Sequence, residues 1–447
     1  MTSANQPTRA HTKAAETFQS SKPPATGTIF ADRDTSIDPV LAHRVLSTID
    51  HDEVIAFLQQ LIRVPSVNPP GDVREAIRLC TEKLAAAGFD TQTVGATPEQ
   101  VNLIGTLRGR LAGPRLAFNA HVDVVPIGEE TAWTYPPFGG EIAHGRVYGR
   151  GAGDDKASVA AQVMAGVALA RSSVLLDGTL IVTAVADEET SGQLGAGFIV
   201  REGHVDADFV IVGEQTRNQI CVAERGAVGV QVMVYGAAGH AAAPWDGVNA
   251  IEGMGRVITA LREELWPILA QRTHRYLPHS TATISTITGG VKTNVIPDAC
   301  EIYVDRRILP GETPESVTAE IRAVAERAVA QVAGLRVEVT PRASRGARES
   351  DPNSLVGRAL QEATRFLGNE PILTGFFAGT DAKHFAPKGW PTMVVGPGDP
   401  STAHTPDEWV GIEEVLEATR LYALTALAVL ARHDETSLGS ASGRPGR

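Results

Sequence analysis

Two adjacent carboxylates, Glu188 and Glu189, follow an apolar run that reads Leu180-Ile-Val-Thr-Ala-Val-Ala186 and then Asp187. Neighbouring carboxylates repel, and both lose hydration in a cleft, so such a doublet is tolerable there mainly when a cation holds one of them. One Glu can then ligate metal while the other faces solvent as a proton-transfer base. An acidic first turn of the next helix, favoured by the helix dipole, explains the same letters without chemistry. Other strand ends have to decide between the two.

Ligands of open α/β sheets gather outside the carboxyl ends of the strands. The strand predicted over Arg115–Ala120 runs into His121-Val122-Asp123. A glycine-rich turn, Tyr148 to Gly153, delivers Asp154 and Asp155 just before a helix. The run Phe209–Gly213 ends at Glu214, and Met393–Gly398 leads to Ala403-His404-Thr405-Pro406. Imidazole and carboxylate suit divalent zinc, cobalt or manganese. Singly, each feature has a bland reading: a hydrogen-bonded pair, a helix cap, a solvated carboxylate, a loop histidine. Jointly, four strand ends and a fifth loop all bearing such groups point to a metal centre.

The elements that must position these groups follow from periodicity. Helix-face spacing begins at Val54 and stops at Pro65 and the Asn68-Pro69-Pro70-Gly71 cluster. A helix is predicted over Arg74–Ala87, then strands Val101–Leu107 and Arg115–Ala120, helix Lys156–Arg171, strand Thr179–Ala186, helix Leu194–Arg201 and strand Asp208–Val212. Near-continuous apolar strands alternating with helices predict a largely parallel α/β sheet. From Arg225 the order becomes strand Val228–Tyr235, helix Val248–Leu265, strands Thr281–Thr288 and Ala299–Arg307, helix Pro314–Ala330 and strand Leu335–Thr340. That is a split β-α-β arrangement, a ferredoxin-like α+β unit. The α/β pattern resumes with a helix to Phe366, strand Thr392–Val395 and helix Ile412–Ala431. The expected organisation is a catalytic domain over 41–224 and 342–434, interrupted by an inserted domain over 225–341, with flexible tails at 1–40 and 435–447.

Bulk properties narrow the class. The 447 residues, 43% hydrophobic and 21% charged, suffice for about two domains. A formal net charge of −12 gives no reason to expect nucleic acid or an anionic membrane as partner. No signal-peptide-like or membrane-spanning run is evident. Three scattered cysteines, Cys80, Cys221 and Cys300, form neither a disulfide framework nor a thiolate zinc motif, and a reducing cytoplasm is the simplest setting.

The segments NAHVDVVP, GRGAGDDKAS, ADEET, VGEQT, GHAAAP, GGVKTNVIPDACEIYVDRR, GTDAKHF and AHTPDEW, in this order, resemble a family of metallopeptidases. It includes acetylornithine deacetylase, succinyl-diaminopimelate desuccinylase, aminoacylase-1, carnosinase-type dipeptidases and bacterial glutamate carboxypeptidase. The likeness runs from about Val54 to Arg432. It implies a zinc-peptidase-like catalytic domain with two divalent ions, zinc first, with cobalt or manganese as alternatives. By motif, Asp154 would bridge the ions, with His121 and Glu214 on one and Glu189 and His404 on the other. Glu188 would be the general base, and Asp123 the carboxylate that orients His121. The Asp154–Asp155 peptide would be cis. His240 would polarise the scissile carbonyl, commonly in the neighbouring subunit, through a homodimer made by the inserted domain. Asn294 and Arg307 would hold a free carboxylate of a small substrate, an Arg fork suiting that task, and Gly379 and Thr380 would line the same pocket.

The expected function is hydrolysis of the amide of an N-acyl-amino acid or a related small substrate, by a water between the ions and Glu188 as base. A dipeptidase or carboxypeptidase on the same centre is the alternative. A non-catalytic homologue would have a broken ligand set, whereas every inferred ligand position is chemically intact. A dinucleotide role for Gly149 to Gly153 fits poorly, because the paired acids after it would repel a pyrophosphate.

Overall fold

Strands whose residues are almost all apolar need cover on both faces, and they take the centre of the molecule. In the computed structural model, which describes residue 30 and residues 32–431, a nine-stranded sheet has this centre. Its order is Asp90–Gly95, Val101–Arg108, Asp177–Val185, Leu111–His121, Phe209–Val212, Thr392–Val394, Ile220–Glu224 and Arg348–Glu349, with Leu373–Phe376 also on Ile220–Glu224. The four strands from Asp177–Val185 to Thr392–Val394 are mutually parallel. Antiparallel pairs flank them. The result is a mixed α/β fold with a mostly parallel centre, as the alternation predicted.

Helices Lys156–Ser172 and Ile412–Leu430 pack together across this sheet. Lys156–Ser172 is buried almost all round, which suits its Ala- and Val-rich sequence. Ile412–Leu430 adds the buried Tyr422, whose hydroxyl donates to the Val395 carbonyl at 2.5 Å.

A second sheet of four antiparallel strands runs in the order Thr281–Gly289, Ala299–Ile308, Gly226–Tyr235 and Arg336–Arg345. Helices Ala250–Ala260 and Pro314–Val329 lie against it around a core of their own, built from Val228, Val230, Val232, Val234, Ile302, Val304 and Ile321. Thr313 caps the second helix in a capping box with Ser316.

Several elements differ from expectation. Helix Val248–Leu265 begins instead at Ala250, where Asn249 accepts from the N–H groups of Ile251 and Glu252. It passes through a wide turn at Leu261–Leu265 before Trp266–Ala270, because Pro267 has no N–H to continue the regular ladder. Strands Asp90–Gly95 and Ile220–Glu224 were not predicted; the first is short and mostly exposed, so it lacks an apolar alternation. Residues 32–40, within the segment expected to be a tail, are built into the fold. Asp38 caps helix Pro39–Leu46, Ile37 is buried, and Arg33 donates to the Ala431 carbonyl. The rest of both expected tails lies outside the described residues. Among the described residues no helix is long and apolar enough to cross a membrane.

Candidate active site

Register in the parallel sheet brings the first candidate ligands together. His121, last in its strand, pairs with Val185 of the neighbouring strand, so Glu188 and Glu189 emerge beside it. The chain turns there because Asp187 adopts φ of 69°, a left-handed conformation that Asp tolerates better than most residues. Its carboxylate accepts from Leu194 N–H and locks the turn. Glu214 follows the next parallel strand, Phe209–Val212, which places it at the same sheet edge.

Asp154 is the junction. One oxygen lies 3.2 Å from His121 Nε2 and the other 3.2 Å from His404 Nε2. His404 Nε2 is also 3.1 Å from Glu189 Oε2. Ligand atoms of His121, Glu188 and Glu214 cluster within 4.8 Å of one another, and so do those of Asp154, Glu189 and His404. The Asp154–Asp155 peptide is cis, as the resemblance implied. His404 itself has φ of 62°, unusual for a residue with a Cβ and typical of functional sites.

Asp123 does more than face His121. Its backbone carbonyl is 3.0 Å from His121 Nδ1, and its carboxylate is 3.6 Å away. That fully buried carboxylate accepts from the N–H groups of Glu188 and Glu189, at 3.2 and 3.3 Å, and from Asn68 Nδ2 at 2.9 Å. One residue thus fixes the imidazole and the acidic doublet together. A comparable tie holds Asp154: Glu408 Oε1 accepts from Gly153 and Asp154 N–H, while Oε2 pairs with buried Arg150 at 2.6 Å. Arg150 also donates to the Thr405 carbonyl, beside His404.

The electrostatics are those of a site short of positive charge. Burial, then Asp154 and Asp155, pushes Glu214 well above the carboxylate range. Burial raises Glu188 too, against the opposing pull of Lys383. Burial, then Asp154, does the same to Glu189. Burial opposes charge on His121, but Asp123, Asp154 and Asp155 outweigh it and hold its pKa well above the ordinary value. Hydrogen bonds to Asp154 and Glu189 raise His404 to about 10. A further sign is structural: His121 Nε2 and Glu189 Oε1 are buried without a hydrogen-bond partner. Imidazole and carboxylate atoms crowded together without hydrogen bonds in an acidic pocket fit divalent cations.

Two cavities meet at this cluster, sharing Glu188, Glu189 and Gly379. One, of about 540 Å³, includes Asp154, Glu214 and His404 with Arg225, Arg307, Phe376 and Phe377. The other, of about 620 Å³, includes Arg345, Lys383 and His384. Arg306 is fully buried and bound to Glu312, leaving Arg307 as the arginine of that pair in the cavity. Thr380 is buried, its hydroxyl accepting from Ala382 N–H, and it lines an adjoining cavity with Arg225 and Arg345. His240 and Asn294 line neither cavity. They stand together on the second sheet's flank, both exposed, where Gly239–His240 pairs with Val295–Ile296.

Sequence reading missed Asn68, Lys383, Arg225, Arg345 and the Arg150–Glu408 pair. Lys383 and Glu408 sit inside the GTDAKHF and AHTPDEW segments, so proximity to a motif was their signal. Arg345 had none.

The model of peptidase family M20/M25/M40 matches residues 117–428. The chain belongs to this family. It is a metal-dependent hydrolase acting on amide bonds. A succinyl-diaminopimelate desuccinylase of Methylorubrum extorquens is 31% identical over 390 residues, covering 83% of this chain and 97% of that protein. An acetylornithine deacetylase of Myxococcus xanthus is 33% identical, covering 76% of this chain and 88% of that one. The fold is also that of a dinuclear metal-binding M20 peptidase from Bacillus subtilis, with a TM-score of 0.67, 19% identity, and 85% and 98% of the two chains covered.

Proposed function

We propose that this M20 protein hydrolyses the amide of an N-acyl-amino acid or a related small substrate on a two-metal centre. Asp154 carries the assignment, because its two oxygens face the imidazoles of His121 and His404 at equal distance. His121 and Glu214 would hold one ion, Glu189 and His404 the other, and Asp154 both. Zinc suits the donor set first, with cobalt and manganese as alternatives. Such ions, when bound, acidify water and polarise a carbonyl.

The chain's own groups do the rest. Glu188 takes the proton of the attacking water and returns it to the leaving nitrogen. Lys383 Nζ, 3.2 Å from Glu188 Oε1, holds that carboxylate in place. Asp123 keeps His121 and the doublet aligned. Arg307 binds the substrate's free carboxylate, in a cavity that Phe376 and Phe377 also line.

Residues 225–341 act in this reading as an inserted lid and dimerisation unit. His240 and Asn294 then serve the site of a second subunit, His240 polarising the scissile carbonyl and Asn294 binding carboxylate. Exposed Trp245, Ile251, Ile287 and Val291 on the same unit support an interface there, as does the edge position of strand Thr281–Gly289. Three buried free thiols are compatible with a reducing cytoplasm.

A panel of N-acyl-amino acids and dipeptides, assayed on metal-depleted enzyme restored with each ion, tests the proposal. Turnover of acyl-amino acids only after metal is restored is the expected result. Comparable hydrolysis with no metal would overturn it, and a preference for dipeptides would shift the assignment to the peptidase alternative.

A further inference from the structure

The two cavities flanking the catalytic doublet carry different cations, and the larger has been given no occupant. Arg345 is its distinctive feature. Several half-buried or buried arginines find carboxylates: Arg115 with Asp208, Arg150 with Glu408, Arg272 with Glu320, Arg348 with Glu224. Arg225, in the other cavity, has no such pair among the described residues but donates to the Thr281 hydroxyl. Arg345 has no such ion pair among the described residues, and its Nε is buried without a hydrogen-bond partner. An unsatisfied buried donor is costly and calls for an explanation.

Space for this guanidinium has been left beside the reaction centre. A Cβ on Gly379 would fall 2.1 Å from Arg345 Cζ, so any side chain there would expel it. Gly379 also borders both cavities, which makes it the point where a substrate crossing from one to the other would meet Arg345. Lys383 lines the same cavity; its Nζ is paired with Glu188 at 3.2 Å, and it adds a second positive charge near Arg345. An arginine without an ion pair that lines a cavity beside a second cation is stabilised by an incoming anion, and a planar guanidinium suits a carboxylate.

We propose that Arg345, backed by Lys383, forms a second anion subsite, selecting substrates with a carboxylate additional to the one assigned to Arg307. The substrate class is a dicarboxylic acyl-amino acid, the extra charge lying either on the acyl chain or on the amino-acid side chain. This rests on the amide-hydrolase reading above.

Three substrates separate the sources: N-butyryl-glutamine as neutral reference, N-succinyl-glutamine with the charge on the acyl chain, and N-butyryl-glutamate with it on the side chain. On metal-restored full-length enzyme, one of the two charged substrates is expected to exceed the reference in kcat/KM by at least about tenfold, the range of a hydrogen bond to a charged group. The charged-to-neutral ratio should collapse in Arg345→Gln, invert in Arg345→Glu and partly recover in Arg345→Lys. Because a ratio is read, a loss of folded protein lowers both substrates alike and leaves it interpretable. Hydrolysis of the reference with no advantage for either charged substrate would overturn the subsite and leave amide hydrolysis standing, as would a ratio unchanged in Arg345→Gln. Failure to cleave any of the three with metal restored would overturn both together.

Discussion

The rim of the parallel sheet and the flank of the second sheet carry candidate catalytic groups in opposite states. At the rim, His121, Asp154, Glu188, Glu189 and Glu214 are buried or nearly so, and the first four are held by Asp123 and by Glu408 with its partner Arg150. On the flank, His240 and Asn294 are exposed, with His240 Nδ1 accepting from Ala242 N–H two residues away. The rim is preorganised within one chain: its geometry is set before substrate arrives, which is what electrostatic catalysis needs. The flank residues line neither cavity of the rim. On the proposed reading, they act when brought against a rim by domain closure or by another subunit.

Four substitutions test that contrast. The largest effect belongs to Glu188→Gln at the rim. Loss of the base should lower kcat by roughly 10²–10⁴-fold or more, with metal content, measured by elemental analysis, unchanged. Wild-type-like turnover would remove Glu188 from the mechanism.

Arg150→Met probes preorganisation. Removing one partner of a buried ion pair strands Glu408, and should cost about 3–5 kcal/mol in denaturant unfolding. It should also weaken metal retention under chelator challenge, because Glu408 holds the Asp154 backbone. A stable variant that keeps its metal would mean that the rim needs no such brace.

His240→Ala tests the flank, with an expected fall in kcat of about 10²–10³-fold and no change in stability. Mixing it with Glu188→Gln subunits should restore about a quarter of wild-type turnover if the histidine serves the other subunit of a symmetric dimer. No recovery on mixing would assign it to its own chain.

The smallest effect is a control far from both regions. Glu53 bonds Arg171 and Lys83, and these hydrogen bonds and charges lower its pKa to about 2. A lowered carboxylate pKa stabilises the fold above its unfolded value, near 4.3, and this is lost as pH falls towards 2. Glu53→Gln should therefore cost no more than about 1 kcal/mol at pH 7, with the difference from wild type vanishing by about pH 2, close to that lowered pKa. Activity at neutral pH should not move.

Sequence reading reached much of the rim, because each of its candidate ligands follows an apolar run or a glycine-rich turn, and such local patterns mark strand ends. It also anticipated helices such as Lys156–Ser172 and Pro314–Val329 to within a residue or two. Short or exposed elements escaped it. Strand Ile220–Glu224 has only five residues and no alternation to announce it.

By itself, then, the sequence determined which groups could do the chemistry: two carboxylates at one strand end, a histidine at another, and ligand types suited to divalent metal. Residue type and local periodicity are properties of short stretches, so they survive without a fold. Only the tertiary structure decided which groups meet. It alone put Asp123 beneath the Glu188 and Glu189 amides, Lys383 against Glu188, and Arg345 in the space left by Gly379. Those contacts join residues far apart in the chain, and they depend on register and packing that no local pattern encodes.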